Sequence, residues 1–445
     1  MIRSPDPHSS NDRPPQGHPW HRWGQIADPN SNSSVSGPGI DASLLIKELE
    51  RLGREKGAGN GSDTPTANDD KFLFVYVIRD GQVYRPRSSY EKLLSQVAIG
   101  FRGRFLPLEE ALVEAVSMAP HSRIQNLPLI ITISDDCSCH DAVPIFSFSR
   151  KIGCDHSFPI VTYEHWSKYR NIGEEGEDGY WKRKHSAWEK KYPWESKVRR
   201  AVWRGSPTGK PRPDWFPNAT SGGWRELPRA QLVRAALERP DLMDAAFAAI
   251  PGVVLPQVSK TDDVEIRTEL RVKRRTLVME PFMKYRAIID IDGNSWSSRF
   301  GPQLCFNSVT IKVQPEYVDY FHDELVPWKH YLPVHGNLSN LIEIVSYALD
   351  DANADAVQSI ISSAQSWCRR QFTRRKMAND LLWNLISYED LLNSNNESFV
   401  TRWRNASRTA WDLPGLNLQR VGRREVGHWC SRDILGWKDC IWQRL

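Results

Sequence analysis

One segment of the 445-residue chain combines residue types that bind phosphate. It covers residues 285–312, with the sequence YRAIIDIDGNSWSSRFGPQLCFNSVTIK. The apolar residues at its start predict a buried strand, and Gly293 then allows a sharp turn. Ser298 and Arg299 stand where a short helix is predicted to begin, with its free N–H groups directed at the loop. A guanidinium beside such N–H groups binds phosphate, so we expect a phosphorylated ligand here, with a nucleotide as the first candidate.

A second segment of similar character is Trp203-Arg204-Gly205-Ser206-Pro207-Thr208-Gly209, which follows a predicted strand at Ala201–Trp203. Its glycines permit close approach of the backbone to a ligand, and Ser206 and Thr208 supply hydroxyl groups. Arg204 adds a positive charge, and Arg229, at the start of the next predicted helix, could add another. The alternative for each arginine is an ion pair at the surface.

Carboxylates follow a third apolar run, Leu127–Ile133, which ends at Ser134-Asp135-Asp136. Carboxylates at the end of a parallel strand face the crevice where such sheets bind ligands. The alternative for each is a residue that caps a turn. Asp290-Ile291-Asp292 spells DxD, and its two side chains would share one face of a strand. A joint metal site there is a second possibility, although an arginine-rich phosphate site would make a metal redundant.

The elements that must position these residues alternate between strands and helices, which predicts an α/β fold with mainly parallel sheets. Residues 1–70 are predicted to be a disordered extension with one amphipathic helix and a linker. A first folded unit then covers 71–197, a second covers 198–345, and a helical segment with a tail covers 346–445. The predicted elements outside the motifs are a hairpin of Phe72–Ile78 with Val83-Tyr84, a strand at Val143–Ser149, and helices at Asp41–Lys56, Tyr90–Val97, Glu109–Met118, Pro228–Glu238, Tyr317–Leu325 and within Leu338–Leu392.

Composition excludes several classes of protein. The 59 basic and 54 acidic residues are interspersed, which argues against a nucleic-acid-binding protein. No apolar run approaches 18 residues, so we expect no membrane span. The N-terminus lacks the apolar segment of a secretory signal, so either the protein is cytosolic or a targeting segment lies upstream.

The seven cysteines include no CxxC pair, which argues against a structural zinc site. Cys137-Ser-Cys139-His140 could hold a soft metal, or it could be a loop with one disulfide or free thiols. Asn-x-Ser/Thr sequons are slightly more frequent than chance and hint at a secretory compartment.

The motifs AVWRGSPTG, PRAQL, KYRAIIDIDGNSWSSRF and LVPWKHYLPV, in this order and spacing, resemble glycosyltransferase family 90. This family includes fungal capsule-associated proteins and animal protein O-glucosyltransferases. Upstream, LPLIITISDD and VPIFSFSR are similar to the acceptor-side segment of the family. The resemblance runs from about Leu127 to Leu392.

The resemblance implies a GT-B fold, with two Rossmann-like domains facing a cleft: 71–197 on the acceptor side and 198–345 on the UDP-sugar side. It implies an inverting, metal-independent transfer of glucose or xylose from a UDP-sugar to a hydroxyl of a glycan or protein acceptor. It also implies a location in the ER or Golgi lumen. The UDP-sugar is a donor substrate, and no cofactor is expected beside it. No nucleic-acid partner is expected.

Carried onto this chain, the resemblance assigns the donor site to Trp203, Arg204, Gly205, Ser206, Thr208, Arg229, Gly293, Ser298 and Arg299. It assigns the general base to Asp135, with Asp136 and Asp141 as alternatives. The chief alternative function is a catalytically inactive glycan-binding protein on the same scaffold.

Overall fold

The computed structural model describes residues 73–86, 99–124, 126–135, 143–154, 157–173, 179–217, 223–249, 252–274, 279–395 and 418–421. The predicted N-terminal extension, the predicted helices Asp41–Lys56 and Tyr90–Val97, and the Cys137–Cys139 motif lie outside these residues. Within them, none of the helices has both the length and the apolar character needed to cross a bilayer.

Fourteen strands and nine α-helices occur in the described residues. The strands are β1 Leu73–Arg79, β2 Gln82–Pro86, β3 Asn126–Thr132, β4 Ile145–Ser147, β5 Arg150–Lys151, β6 Ser157–Pro159, β7 Val198–Gly205, β8 Met243–Ala249, β9 Val272–Arg274, β10 Tyr285–Asp290, β11 Val309–Val313, β12 Tyr317–Val318, β13 Leu332–Val334 and β14 Leu418–Arg420. The helices are α1 Ile99–Ser117, α2 Tyr163–Tyr169, α3 Tyr180–Lys191, α4 Pro228–Glu238, α5 Lys260–Glu269, α6 Phe300–Gln303, α7 Leu341–Leu349, α8 Ala354–Gln371 and α9 Arg374–Asn395.

The second unit contains a six-stranded sheet in the order β13-β11-β10-β7-β8-β9, and all its pairings are parallel. In chain order this is the doubly wound arrangement 3-2-1-4-5-6, in which the strand order reverses between β7 and β10. Helices α4 and α5 form the crossovers on one side of that point. The apolar run of β10 is fully buried, as a strand covered on both faces requires. The predicted parallel sheet of this unit is therefore confirmed.

The first unit contains a mixed sheet in the order β14-β2-β1-β3-β4-β6. Only β3, β4 and β6 pair in parallel, whereas β1 is antiparallel to both β2 and β3. The prediction of a mainly parallel sheet was wrong for this unit. The antiparallel pairing of β1 arises from the hairpin between β1 and β2, which was predicted correctly. The turn at Asp80-Gly81 reverses the chain before α1 leads to β3.

The prediction of a helix at Tyr317–Leu325 was also wrong. Tyr317–Val318 forms β12, which pairs with β5, and only His322–Glu324 forms a turn of 3₁₀ helix. The apolar residues of this segment have helix-like spacing. However, its residues Tyr317–Val318 pair with β5, a strand far away along the chain. This pairing overrides the local preference for helix.

The helices near the C-terminus return to the first unit. Trp367 and Phe372 at the end of α8 and Tyr388 of α9 share one apolar core with β1 and β3. Cys305 forms a disulfide with Cys368 of α8. The same core contains side chains of β10 and α6, so the two units are packed together along this side of the molecule.

Candidate active site

The loops that follow β7 and β10 lie side by side at the point where the strand order reverses. The N–H of Gly209 donates to Asn294 Oδ1 at 3.1 Å. Gly209 has φ of +124°, and a Cβ on it would lie 3.1 Å from the carbonyl oxygen of Gly293. Only glycine combines this backbone conformation with so close an approach. The structure therefore brings together the two loops that the sequence predicts to bind a ligand.

Arg229, on α4, lies between these loops and bonds to both. Its Nε donates to the Asp292 carbonyl at 2.9 Å, and Nη2 donates to the Ile291 carbonyl at 3.2 Å. Its Nη1 donates to the Ser206 carbonyl at 3.1 Å and to Thr208 Oγ1 at 2.6 Å. A guanidinium has five N–H groups, so these four contacts use most of its capacity. Arg229 thus holds the loops in place and leaves little for a phosphate.

Gly293 makes this arrangement possible. A Cβ at that position would lie 2.8 Å from Arg229 Nη2 and 3.0 Å from Thr208 Oγ1. Burial lowers the pKa of Arg229 to about 9, and the positive charge of Arg299 lowers it as well. Arg229 is still charged at neutral pH, so it adds a fixed positive charge beneath the site.

Part of the end of β7 belongs to the hydrophobic core. The Trp203 side chain is buried and packs edge-on against Phe247, with ring centroids 5.9 Å apart. A Cβ on Gly205 would lie 2.5 Å from Trp203 Cζ2, so the glycine leaves room for the indole. The resemblance places Trp203 against the donor, but this side chain packs inside the protein.

Arg204 is directed at a carboxylate and away from the loops. Its Nη2 lies 2.8 Å from Asp244 Oδ2, which also accepts from the Tyr285 hydroxyl at 2.7 Å, while Lys273 Nζ lies 2.8 Å from Oδ1. Burial opposes ionisation of Asp244, yet these hydrogen bonds keep its pKa well below the usual range. The Arg204 side chain is therefore held by Asp244. The carbonyl oxygen of Arg204, in contrast, faces the site and accepts a hydrogen bond from Arg299 Nη1.

Arg299 is the cation that remains for a ligand. Within the described part of the chain, its side chain makes one hydrogen bond, from Nη1 to the Arg204 carbonyl. Burial lowers its pKa, and the negative charges of Asp290 and Glu164 act in the opposite direction. The predicted short helix begins directly after it, as α6. The guanidinium is held at one nitrogen and has its Nε and Nη2 donors left for an anion.

The two carboxylates of the DxD motif bind a lysine. Lys312 Nζ lies 2.6 Å from Asp290 Oδ1 and 2.8 Å from Asp292 Oδ1. The Ser297 hydroxyl donates to Asp290 Oδ2 at 2.6 Å, and the Glu316 N–H donates to Asp292 Oδ2 at 3.1 Å. In the residues that the structure describes, no group of three or more His, Cys, Asp or Glu side chains is arranged to hold a metal ion.

Asp135 follows β3 and forms an ion pair with Arg104 of α1, with Oδ1 2.6 Å from Nη1. Arg104 also donates to the Ile133 carbonyl at 3.0 Å, which fixes the guanidinium at the end of the strand. The Asp135 side chain is 44% exposed and is therefore open to a substrate. Its alternatives, Asp136 and Asp141, lie outside the described residues.

A row of side chains connects Asp135 to the loop after β10. The Arg104 guanidinium lies over the Tyr163 ring, 5.1 Å from its centroid. Tyr163 contacts Phe148 at 5.3 Å, and Phe148 contacts Trp296 at 6.2 Å between centroids. Trp296 belongs to the loop that carries Arg299. A chain of side-chain contacts from both units thus joins the candidate base to the loop of the candidate phosphate-binding residue, and it passes through the core at the buried Phe148.

Sequence reasoning missed several residues in and around this chain of contacts. Arg104, Tyr163 and His165 were not singled out, although Thr162 before an apolar stretch is a recognisable helix N-cap and marks the start of α2. His165 Nε2 lies 3.1 Å from the Ser298 carbonyl oxygen. Nothing in the sequence indicates the contact of His165 with Ser298, because it joins residues separated by 133 positions.

Comparison with known proteins identifies the family. Residues 56–399 match the family described as Glycosyl transferase family 90. The chain belongs to that family. It is therefore a glycosyltransferase-family protein, and the motifs that carried the resemblance all fall inside the matched region.

Curated relatives of this family 90 protein include protein O-glucosyltransferases. Protein O-glucosyltransferase 3 of Rattus norvegicus is 33% identical over 123 residues, which cover 28% of this chain and 22% of the relative. Protein O-glucosyltransferase 1 of Homo sapiens is 22% identical over 290 residues, covering 60% of this chain and 62% of the relative. The chain thus spans about a quarter of the first relative and less than two thirds of the second.

Proposed function

We propose that the protein is an inverting, metal-independent glycosyltransferase that transfers glucose or xylose from a UDP-sugar to a hydroxyl of a glycan or protein acceptor. The observation that carries the proposal is the Arg299 guanidinium, bound at one nitrogen by the Arg204 carbonyl and otherwise available to a ligand. It stands where doubly wound sheets bind nucleotides. Family membership supports the reaction class.

Asp135 is the proposed general base. It would take the proton of the acceptor hydroxyl while that oxygen attacks the anomeric carbon of the donor. The bond from this carbon to the UDP oxygen breaks on the opposite side, so a single displacement inverts the configuration. Negative charge then develops on the leaving diphosphate, where the free N–H groups of Arg299 can stabilise it. Arg104 would orient the base through the 2.6 Å ion pair.

Independence from metal is supported by the DxD segment. Its carboxylates would be the natural ligands for a divalent ion beside a diphosphate. Lys312 already pairs with both of them, and the Ser297 hydroxyl takes up a further oxygen of Asp290. The positive charge that a metal would supply comes instead from Arg299, with Arg229 beneath it.

The compartment and the acceptor are proposed from two further observations. The Cys305–Cys368 disulfide suits an oxidising compartment, which supports the lumen of the secretory pathway. The names of the relatives describe transfer of glucose to proteins. We propose that the acceptor of this protein is likewise a hydroxyl group of a glycan or a protein.

The test is a transfer assay on wild type and Asp135→Asn. UDP-glucose, UDP-xylose and UDP-galactose are supplied with and without EDTA, and release of UDP is followed. We expect one donor to be consumed regardless of EDTA, and Asp135→Asn to lower turnover at least about 100-fold. Asp241→Asn, which removes an exposed carboxylate beside Arg239, serves as the matched control.

Full turnover in Asp135→Asn would remove Asp135 from the proposed role. If wild type binds glycans but consumes no UDP-sugar, the protein is the glycan-binding alternative. Loss of activity in EDTA, with recovery on addition of Mn²⁺, would contradict the metal-independent mechanism.

A further inference from the structure

His165 connects the first unit to the loop that carries Arg299. It lies on α2, its side chain is buried, and its Nε2 is 3.1 Å from the Ser298 carbonyl oxygen. A carbonyl oxygen only accepts hydrogen bonds, so Nε2 carries the proton. Its Nδ1 is buried and has no hydrogen-bond partner in the described residues. The imidazole thus makes one hydrogen bond through its ring within the described residues, from Nε2 to Ser298.

The imidazole is fixed from all sides. The His165 N–H donates to the Thr162 hydroxyl at 3.1 Å, which anchors the residue in the first turn of α2. Four aromatic rings then surround the side chain, with centroids 5.2 to 6.5 Å from its own, and they are Tyr169, Tyr320, Phe321 and Phe372. A ring held in this way cannot turn to another partner, so its donor has one fixed direction.

The peptide that His165 holds is the one that leads into Arg299. On one side, the first unit fixes the Ser298 carbonyl through His165. On the other side, the end of β7 fixes the Arg299 guanidinium through the Arg204 carbonyl. We infer that His165 is a positioning residue, which keeps Arg299 aligned for the diphosphate of the donor through the Ser298 carbonyl. This inference rests on the proposed function, because it concerns the same diphosphate site.

His165 takes no part in proton transfer. Burial lowers its pKa to about 3, and the positive charge of Lys168 also opposes protonation, although the hydrogen bond to Ser298 acts in the opposite direction. Tyr169 and Tyr320, the titratable groups among the surrounding rings, have pKa values raised by burial and stay neutral. The donor is therefore unchanged across the pH range in which enzymes of this kind are assayed.

The test compares variants that separate the donor from the ring. His165→Phe keeps an aromatic ring and loses the donor, whereas His165→Gln keeps an N–H group near the position of Nε2. His165→Asn, whose amide is too short to reach Ser298, is the second donor-free variant in case the phenylalanine does not fold. For each protein we would measure UDP affinity by calorimetry, kcat and KM for the UDP-sugar, the pH profile and the melting temperature.

We expect donor-free variants to bind UDP about tenfold more weakly, which corresponds to about 1.4 kcal/mol. His165→Gln should stay within about threefold of wild type. All pH profiles should keep the wild-type shape. A lower melting temperature with unchanged UDP affinity in both donor-free variants would overturn the inference, as would loss of a limb of the pH profile. Absence of UDP binding in wild type would instead refute the proposed function.

Discussion

Two arginines near the candidate diphosphate site have different roles because their hydrogen bonds differ. Arg229 makes four contacts, three of them with backbone carbonyls of the two loops. Arg299 makes one such contact in the described residues. Residue type alone predicts both as phosphate ligands. Their partners, which only the structure shows, distinguish a residue that holds the loops from one whose remaining donors are proposed to bind a ligand.

Arg229→Ala should lower the free energy of unfolding by about 3 kcal/mol or more, because four hydrogen bonds that hold the two loops are lost at once. Urea denaturation followed by circular dichroism measures this change. Arg234→Ala on the same helix removes an exposed arginine that is 3.5 Å from Glu269, and it should change stability by less than about 0.5 kcal/mol. Equal effects of the two substitutions would show that Arg229 does not hold the loops.

Asp244 should make the free energy of unfolding depend on pH. Its folded pKa lies below the unfolded value of about 3.9, so the folded state binds fewer protons and the carboxylate stabilises the fold above that value. This stabilisation is lost as the pH falls below about 4. Urea denaturation at pH 5 and pH 3 should show a smaller decrease for Asp244→Asn than for wild type. Identical decreases would mean that other carboxylates account for the acid sensitivity.

At the scale of elements, the site exists because β7 and β10 are neighbours whose crossovers run in opposite directions. The sequence predicted both strands from their apolar runs and both loops from their glycines and hydroxyl residues. Adjacent parallel strands place their carboxyl ends at one edge. The contact between the loops at Gly209 and Gly293 can therefore be predicted from the sequence. The part played by Arg229 between them cannot, since its partners are mostly backbone atoms.

Gly293→Ala should disturb this contact between loops. The added methyl group would lie 2.8 Å from a guanidinium nitrogen that several hydrogen bonds hold in place, so overpacking should cost about 1–3 kcal/mol of stability. UDP affinity should fall as well, because the loop carries Arg299. The control is Gly173→Ala, where a Cβ would meet no atom of the described residues within 4 Å. Wild-type stability and UDP affinity in Gly293→Ala would contradict the close packing of these loops.

The elements that sequence reasoning predicted wrongly were decided by contacts of two kinds. Tyr317–Val318 is a strand because Arg150–Lys151 pairs with it, and β1 is antiparallel because a hairpin precedes α1. His165 and Arg104 act through partners in other segments. The partners of β12 and of His165 lie far away along the chain, whereas periodicity and turn residues report only local preferences. The antiparallel β1 instead follows from a local hairpin.

At the scale of the whole molecule, the C-terminal helices join the two units. Cys305 lies just after α6 in the second unit, and its partner Cys368 lies on α8, which packs into the core of the first unit. The bond closes a loop with a sequence separation of 63 residues. It therefore restricts the unfolded chain and keeps α6, next to Arg299, close to the first unit.

Replacing both cysteines, as Cys305→Ala with Cys368→Ala, should lower the free energy of unfolding by about 2–5 kcal/mol. Substitution is preferable to a reductant, because Cys154 is also disulfide-bonded. Urea denaturation measures the loss. The single variant Cys368→Ala should be destabilised to a similar extent, since it too lacks the bond. Stability equal to wild type in the double variant would mean that the bond does not constrain the fold.

In the proposed mechanism, Arg299 binds the diphosphate of a UDP-sugar without a metal. The most direct test is calorimetric titration of UDP into wild type and Arg299→Ala in buffer with EDTA, with Arg239→Ala as an exposed-arginine control. We predict binding by wild type and by Arg239→Ala. We predict that Arg299→Ala binds about 10- to 100-fold more weakly, as expected for the loss of charge-assisted hydrogen bonds. Equal affinity of Arg299→Ala and wild type, or no binding by wild type in EDTA, would contradict the account.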